Sequence, residues 1–276
     1  MAGDKPTVFI VHGLWQTPVH FQPFIQRLKD CGFPTICPWL PSTGQLPPVG
    51  FLDDTKCIHN TLKRLVEEEH RTVLVVAHGY GGVVVSEAVG PEFSLRQRKR
   101  HWDHGGVLRI LFVTACLIPI GESMSVALQG AVPQAVFYDV GPDSPLNARW
   151  PPLDPANARD IKTQGMCILQ DSPSLFYHDL SRDEQLMWTM QLQSCPMSLH
   201  TTLITRAEFR HHPITYLYCL QDRILTYEMQ QKMVKTAMQH HDIEIEEVLC
   251  DAGHVPFLSQ PKAIVLLIIQ LVSNKR

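Results

Sequence analysis

Asp222 and His254 are the two side chains whose types and positions most directly suggest chemistry. Each follows a short apolar run that predicts a β-strand, one ending at Leu220 and the other at Leu249. Ligands of α/β sheets bind at the carboxyl ends of the strands, so both side chains are expected at one site. An imidazole oriented by a carboxylate works as a general base or acid. We therefore predict that His254 transfers protons and that Asp222 holds its ring.

A third strand end, within Val73–Gly82, leads into a sharp turn and a helix start made of small residues. The pattern is that of a G-x-S-x-G turn, which exposes a nucleophilic serine at the top of a sheet. Gly79 stands at the serine position. The sequence therefore has the turn but lacks the serine hydroxyl.

Along nearly its whole length the chain resembles the α/β-hydrolase superfamily. More narrowly, it is similar to fungal proteins related to plant methylesterases, which carry the motifs H-G-x-W-x-T-P, L-P-S, F-Y-x-D-L and A-G-H-x-P-F-x-S-Q-P. The matching segments here are His12–Pro18, Leu40–Ser42, Phe176–Leu180 and Ala252–Pro261. Among the catalytic positions, the sequence departs from this pattern only at Gly79.

The resemblance implies an α/β-hydrolase fold with catalytic positions in the order nucleophile, acid, histidine, here Gly79, Asp222 and His254. It also implies an oxyanion hole made of two backbone N–H groups, those of Leu14 in the first loop and Tyr80 after the turn. Neither donor depends on a side chain at position 79.

Three functions fit these residues. The first is a natural serine-less enzyme of fungal secondary metabolism, in which His254 and Asp222 carry out isomerisation, elimination, carbon–carbon cleavage or cyclisation. Its substrate would be a small, apolar carbonyl or polyketide-like compound, with no cofactor. The second is a serine esterase or lactonase whose nucleophile was replaced by Gly79. The third is a non-catalytic protein that binds a small molecule, against which the retained dyad argues.

Few other side chains offer a nucleophile or a metal site. Cys116 ends the strand beside the turn and is the main candidate to replace the serine, although a buried, unreactive thiol is the simpler interpretation. Ser86 lies about 10 Å along the following helix, too far to substitute. The pairs His211–His212 and His240–His241 lack the spacing of metal ligands, so we predict no metal.

Alternating apolar and amphipathic stretches predict a mostly parallel sheet of about six strands with flanking helices. The predicted strands are Thr7–Val11, Thr35–Pro38, Thr72–Ala77, Arg109–Ala115, Ile214–Leu220 and Ile243–Leu249. The predicted helices are Val19–Cys31, Phe51–Glu69, Tyr80–Val89, Tyr227–His241 and Pro261–Ser273.

The alternation stops between about Ile120 and Pro213, where prolines cluster and no sheet strand is evident. This stretch is too long for a plain connection, so we predict a single α/β-hydrolase domain with a helical lid over residues 120–213. We expect the lid to cover the site and Trp15, Tyr177 and Trp188 to line an apolar substrate cavity.

The composition, with 276 residues and a formal net charge of −3, suits one large α/β domain and offers no field for binding polyanions. The basic run Arg96–His101 lacks an aromatic stacking platform, so we interpret it as a solvated loop and expect no nucleic-acid partner. Ala263–Ile269 is too short to span a bilayer. The lack of a leader-like start and the eight scattered cysteines indicate a cytoplasmic protein with reduced thiols.

Overall fold

Six parallel strands form the centre of the structure, a computed structural model that describes residues 5–128, 136–137, 165–169 and 171–273. In chain order these strands are β1 (Thr7–Val11), β2 (Thr35–Ile36), β3 (Thr72–Gly79), β4 (Gly106–Ala115), β8 (Ile214–Cys219) and β9 (Glu246–Cys250). Their order across the sheet is β2-β1-β3-β4-β8-β9, and every neighbouring pair is parallel. The predicted fold class is confirmed.

The central strands are rich in β-branched residues because both of their faces are covered. β3 reads TVLVVAHG, and all of its residues after the first are buried. Continuous apolar runs of this kind are typical of parallel strands that lie between two helical layers.

Helices separate the strands of the sheet. In the described ranges the α-helices are α1 (Gln22–Asp30), α2 (Phe51–Lys63), α3 (Gly81–Ala88), α4 (Leu95–Arg100), α5 (Met124–Ala127), α6 (Ser172–Leu175), α7 (Arg182–Thr189), α8 (Ser198–Thr201), α9 (Tyr227–His241), α10 (Pro256–Ser259) and α11 (Pro261–Ser273). Short 3-10 helices occupy Pro18–Phe21, Pro91–Phe93 and Glu208–His211, and a π-helix at Arg64–Glu68 continues α2.

The direction of chain travel across the sheet decides which face each helix covers. From β1 the chain moves outward to β2, whereas from β3 it moves the other way to β4. Right-handed crossovers therefore place α1 and α3 on opposite faces. In agreement, α1 packs against α11, and α2 packs against α3.

This reversal brings two loops together at one edge of the sheet. β1 and β3 pair along their whole shared length, from Thr7 opposite Val73 to Val11 opposite Ala77. The loop after β1 and the turn after β3 therefore leave the sheet side by side. Such a switch point is where α/β sheets place their ligands.

The ends of several elements differ from the predicted ones. β3 continues to Gly79, so the sharp turn itself belongs to the strand, and β2 stops at Ile36, before Pro38. The basic run predicted as a loop forms α4 instead. The Arg98 side chain supports the end of this helix by donating to the carbonyl oxygens of His104 and Gly105.

The sequence of residues 120–213 shows no clear sheet strand, yet the described part of that segment contains short strands. A small antiparallel sheet joins β5 (Val136–Phe137), β6 (Met166–Leu169) and β7 (Cys195–Pro196). Strands of two to four residues are too short to show a recognisable period of two. The remaining part of the predicted lid, residues 129–135, 138–164 and 170, lies outside the described residues.

The sequence predicts no membrane-spanning segment and reduced cysteines. Among the described residues, no helix has both the length and the hydropathy needed to cross a bilayer. All eight cysteines fall within the described ranges, and each of them is a free thiol.

Candidate active site

A short hydrogen bond joins His254 and Asp222 at the carboxyl edge of the sheet. The imidazole Nδ1 donates to Asp222 Oδ2 over 2.7 Å, and the side chains are only 5% and 0% exposed. Asp222 follows the end of β8, and His254 follows the end of β9, as the sequence predicts. Because Nδ1 is engaged by the carboxylate, Nε2 is the nitrogen left for chemistry.

Further hydrogen bonds fix the carboxylate of Asp222. Its Oδ1 accepts from the backbone N–H groups of Ile224 at 2.7 Å and Leu225 at 2.9 Å. Its Oδ2 also accepts from the hydroxyl of Thr114. A buried carboxylate that accepts hydrogen bonds from several donors is held in one orientation.

Thr114 reaches Asp222 because β4 contains a bulge. His78 pairs with Val113 and Gly79 pairs with Ala115, so Thr114 is the extra residue. Its φ is +36°, a conformation that β-branched residues rarely adopt. Bulges often re-aim a side chain beside a functional site, and backbone strain tends to collect there.

The ring and loop of His254 are held from the other side by residues of the F-Y-x-D-L motif. Phe176 stacks on the imidazole, with ring centroids 4.6 Å apart and planes inclined by 22°. Asp179 accepts from the backbone N–H of Gly253 at 2.7 Å. His78 donates from Nε2 to the carbonyl oxygen of His254 over 2.8 Å. The position of the imidazole is therefore set by packing as well as by Asp222.

Gly79 lies at the turn between β3 and α3 and faces His254. Its φ is +52°, in the left-handed region that glycine adopts without strain. A Cβ built on Gly79 would lie 3.6 Å from His254 Nε2 and 3.6 Å from Gly13 Cα, which is ordinary contact. Two residues later, a Cβ on Gly81 would lie only 2.3 Å from the carbonyl oxygen of Val11. The turn thus requires glycine at 81, whereas position 79 has room for a small side chain.

The buried carboxylate of Asp54 supports the turn at Gly79. Asp54 accepts from the phenol of Tyr80 at 2.8 Å and from Ser42, through its hydroxyl at 2.6 Å and its N–H at 2.9 Å. Burial raises the pKa of the Asp54 carboxyl, against the lowering effect of these hydrogen bonds. The network links Leu40–Ser42 to the residue after Gly79, which gives the L-P-S motif a structural role.

The backbone N–H groups of Leu14 and Tyr80 come from the two loops that meet at the switch point. Leu14, Tyr80, Gly79 and His254 all line the same small cavity. In the described part of the chain, neither N–H makes a hydrogen bond. Both residues thus line the cavity beside His254, and their role as an oxyanion hole stays a prediction.

The cavity between these groups has a volume of about 40 Å³. Its wall is formed by Leu14, Trp15, Gly79, Tyr80, Cys116, Met124, Leu128, Phe176, His200, Ile224, Leu225 and His254. Trp15 lies on this wall as expected.

Tyr177 and Trp188 do not lie on the wall, contrary to expectation. Tyr177 is fully buried beside Phe176, with ring centroids 5.8 Å apart, and Trp188 packs against His20 at the same centroid distance. The sequence motif pointed to the correct segment, but Phe176 rather than its neighbour faces the cavity.

Neither alternative nucleophile is activated. Cys116 lines the cavity, but burial and the nearby Asp222 raise the pKa of its thiol to about 12, so it stays protonated at neutral pH. Ser86 is buried and donates its hydroxyl to the carbonyl oxygen of Gly82.

Buried histidines support the loops around the site without carrying charge. Burial lowers the pKa of both His12 and His20 to about 4, and it lowers the pKa of His78 well below its ordinary value. His12 accepts the N–H of Leu40 at 3.1 Å. These imidazoles are therefore neutral hydrogen-bonding groups at physiological pH.

Comparison with known proteins supports the fold. A sequence profile of the Alpha/beta hydrolase family matches residues 8–265. An alpha/beta hydrolase of Aspergillus novofumigatus is 27% identical over 96% of this chain and 95% of its own length.

Two solved structures have the same fold. A pyrethroid hydrolase from Sphingobium faniae superposes with a TM-score of 0.68 at 15% identity, covering 98% of both chains. A methylesterase from Arabidopsis superposes with a TM-score of 0.64 at 16% identity, covering 97% of this chain and 99% of its own.

The role of Thr114 can be tested by changing only its hydroxyl. Thr114→Val keeps the shape and the β-branch but removes a donor from the buried carboxylate of Asp222. We expect the free energy of unfolding, measured with urea, to fall by about 1–3 kcal/mol. Thr114→Ser, which keeps the hydroxyl, should lose less. Equal stability of the Val variant and the parent would contradict this role.

The buried neutral histidines predict a loss of stability in acid. The pKa values of His12, His20 and His212 are lowered from 6.5 to about 4 in the folded chain. Below pH 6.5 these histidines bind protons in the unfolded chain but stay neutral in the folded chain. The stability present at neutral pH is therefore lost as the pH falls from 6.5 towards 4. Each histidine contributes a slope of about 1.4 kcal/mol per pH unit there.

Urea unfolding at several pH values measures this slope directly. His212 donates to the carbonyl oxygens of Val89 and Gly90, a task that a glutamine amide can share. His212→Gln should therefore reduce the slope of the free energy of unfolding against pH by about the contribution of one histidine. An unchanged slope would show that His212 does not contribute to the pH dependence of stability.

Proposed function

The chain belongs to the alpha/beta hydrolase family, and from this premise we propose that it is a serine-less enzyme of fungal secondary metabolism. In this proposal His254 and Asp222 perform acid–base chemistry on a small, apolar carbonyl compound. The observation that carries the proposal is the buried dyad, in which Nε2 of His254 faces Gly79.

The dyad is suited to removing a proton from a substrate. Nε2 of His254 lies 3.6 Å from the point where a Gly79 Cβ would be, and no side chain of residue 79 competes for it. A substrate C–H or O–H group can use the space that a serine side chain would fill. A positioned general base of this kind accelerates proton transfer by about 10² to 10⁴-fold.

The two backbone amides complete such a reaction. A substrate carbonyl oxygen accepts hydrogen bonds from the N–H groups of Leu14 and Tyr80, which makes the neighbouring carbon more acidic. His254 takes the proton from that carbon, and Asp222 stabilises the imidazolium that forms. Return of the proton to a different atom gives isomerisation, and its transfer to a leaving group gives elimination.

The cavity wall supports an apolar substrate. Much of the wall is aliphatic or aromatic, and Met124, Leu128, Phe176 and His200 come from the segment between β4 and β8. We extend the proposal to this segment as a lid that sets substrate size. Leu128 also borders a larger groove of about 500 Å³ beside α9, into which the rest of a substrate can extend.

The acid–base proposal can be tested by isotope exchange. The parent protein is incubated in D₂O with a panel of small ketones, β-keto esters and lactones, and deuterium uptake is measured by mass spectrometry. We expect His254→Ala to lower the exchange rate by about 10² to 10⁴-fold and Asp222→Asn to lower it less. His101→Gln, at an exposed histidine, serves as the control.

The result separates catalysis from binding. Exchange that survives in His254→Ala would remove His254 as the base. Compounds that raise the melting temperature of the parent without any exchange or turnover would identify a binding protein instead.

Gly79→Ser tests whether the remaining hydrolase machinery is intact. The new Cβ meets only ordinary contacts, and the hydroxyl would come within hydrogen-bond reach of His254 Nε2. The left-handed backbone should cost about 1–3 kcal/mol of stability. We expect a folded variant that releases nitrophenol from an activated ester in a burst, whereas the parent shows none.

Gly79→Ala is the matched control, because it adds the Cβ without the hydroxyl. A burst from Gly79→Ser alone would mean that the chain differs from a serine esterase by one side chain. An inert but folded Gly79→Ser would mean that the pocket has diverged beyond position 79.

A further inference from the structure

Three buried side chains outside the dyad converge beside the cavity. Cys167 on β6 and Cys195 on β7 are directly opposite each other in the antiparallel ladder, and His200 lies on α8. Their sulfur atoms are 3.5 Å apart, and Cys167 Sγ lies 3.6 Å from His200 Nε2. All three potential ligand atoms lie within 4.8 Å of one another, and all three residues are buried.

Two of these separations, between the two sulfur atoms and between Cys167 Sγ and His200 Nε2, match the edges of a metal-centred tetrahedron. With zinc bonds of about 2.3 Å to sulfur and about 2.0 Å to nitrogen, two sulfur ligands lie about 3.8 Å apart, and a sulfur and a nitrogen lie about 3.5 Å apart. The two measured distances, 3.5 and 3.6 Å, are close to these values. The distance between sulfurs is far too long for a disulfide, in which they lie about 2.05 Å apart.

A buried donor without an acceptor lies against the same group. Trp15 packs on His200, with ring centroids 5.8 Å apart, and its indole N–H has no hydrogen-bond partner among the described residues. A metal-bound thiolate of Cys167 would supply the missing acceptor. Such outer hydrogen bonds to ligating groups are a regular feature of metal sites.

We propose that Cys167, Cys195 and His200 form a zinc-binding site. Two thiolates and an imidazole are the ligand types that Zn²⁺ takes in proteins, and hard cations such as Mg²⁺ would not select them. Binding releases the two thiol protons to solvent. Three protein ligands leave a fourth position for water, and His200 also forms part of the cavity wall.

The site would tie together parts of the segment between β4 and β8. Cys167 and Cys195 are 28 residues apart along the chain, and His200 is on the next helix. One metal ion would therefore fasten β6, β7 and α8 to one another. This role is independent of the reaction proposed for His254, so either proposal can fail without the other.

Metal titration of the folded parent tests the proposal. Protein freed of metal with a chelator under reducing conditions is titrated with Co²⁺, followed by its thiolate charge-transfer band, and then with competing Zn²⁺. We expect one metal per chain. Cys195→Ser and His200→Gln should each weaken zinc binding by at least about 100-fold. Cys219→Ser, which alters another buried thiol on β8, is the matched control and should bind as the parent does.

A second measurement uses only the parent chain. Zinc should protect Cys167 and Cys195, and no other cysteine, from alkylation in the folded protein, as mapped by mass spectrometry. Absence of a cobalt–thiolate band, or unchanged affinity in folded Cys195→Ser, would overturn the proposal. Ready oxidation to a Cys167–Cys195 disulfide in a chain that binds no metal would overturn it as well.

Discussion

The hydrogen bond between Asp222 and His254 is the interaction on which the arrangement of this site depends. It lies almost entirely out of water, where an unpaired carboxylate or a misdirected imidazole would be costly. The surrounding structure accordingly supplies both partners with further contacts, from Thr114 on one side and Phe176 on the other. The turn at Gly79 is held by a separate network through Asp54. The contacts of the Asp222–His254 pair are therefore separate from the network that holds residue 79.

The parts of this site that are fixed by local sequence could be predicted. Apolar strand runs followed by Asp222 and His254 indicated both the parallel sheet and the meeting of the two side chains at its edge. The helices Tyr227–His241 and Pro261–Ser273 were predicted to the residue, because their periodicity is strong and their ends are marked by local changes in composition.

The parts that depend on tertiary contacts could not be predicted in the same way. Thr114 has no unusual neighbours in sequence, and only the bulge between β3 and β4 turns its hydroxyl towards Asp222. Cys167 and Cys195 are separated by 28 residues and meet through strands of two to four residues. Motif similarity indicated that the segment around Tyr177 matters, but which ring faces the cavity is decided by packing.

The hydrogen bond between Asp179 and Gly253 ties the segment that covers His254 to the loop that carries this histidine. One short segment carries both Phe176, which stacks on the imidazole of His254, and Asp179, which accepts a hydrogen bond from the loop that contains His254. Displacing this segment from the sheet edge would unstack His254 and release its loop in one movement. The cover of the imidazole and the support of its loop are therefore mechanically coupled.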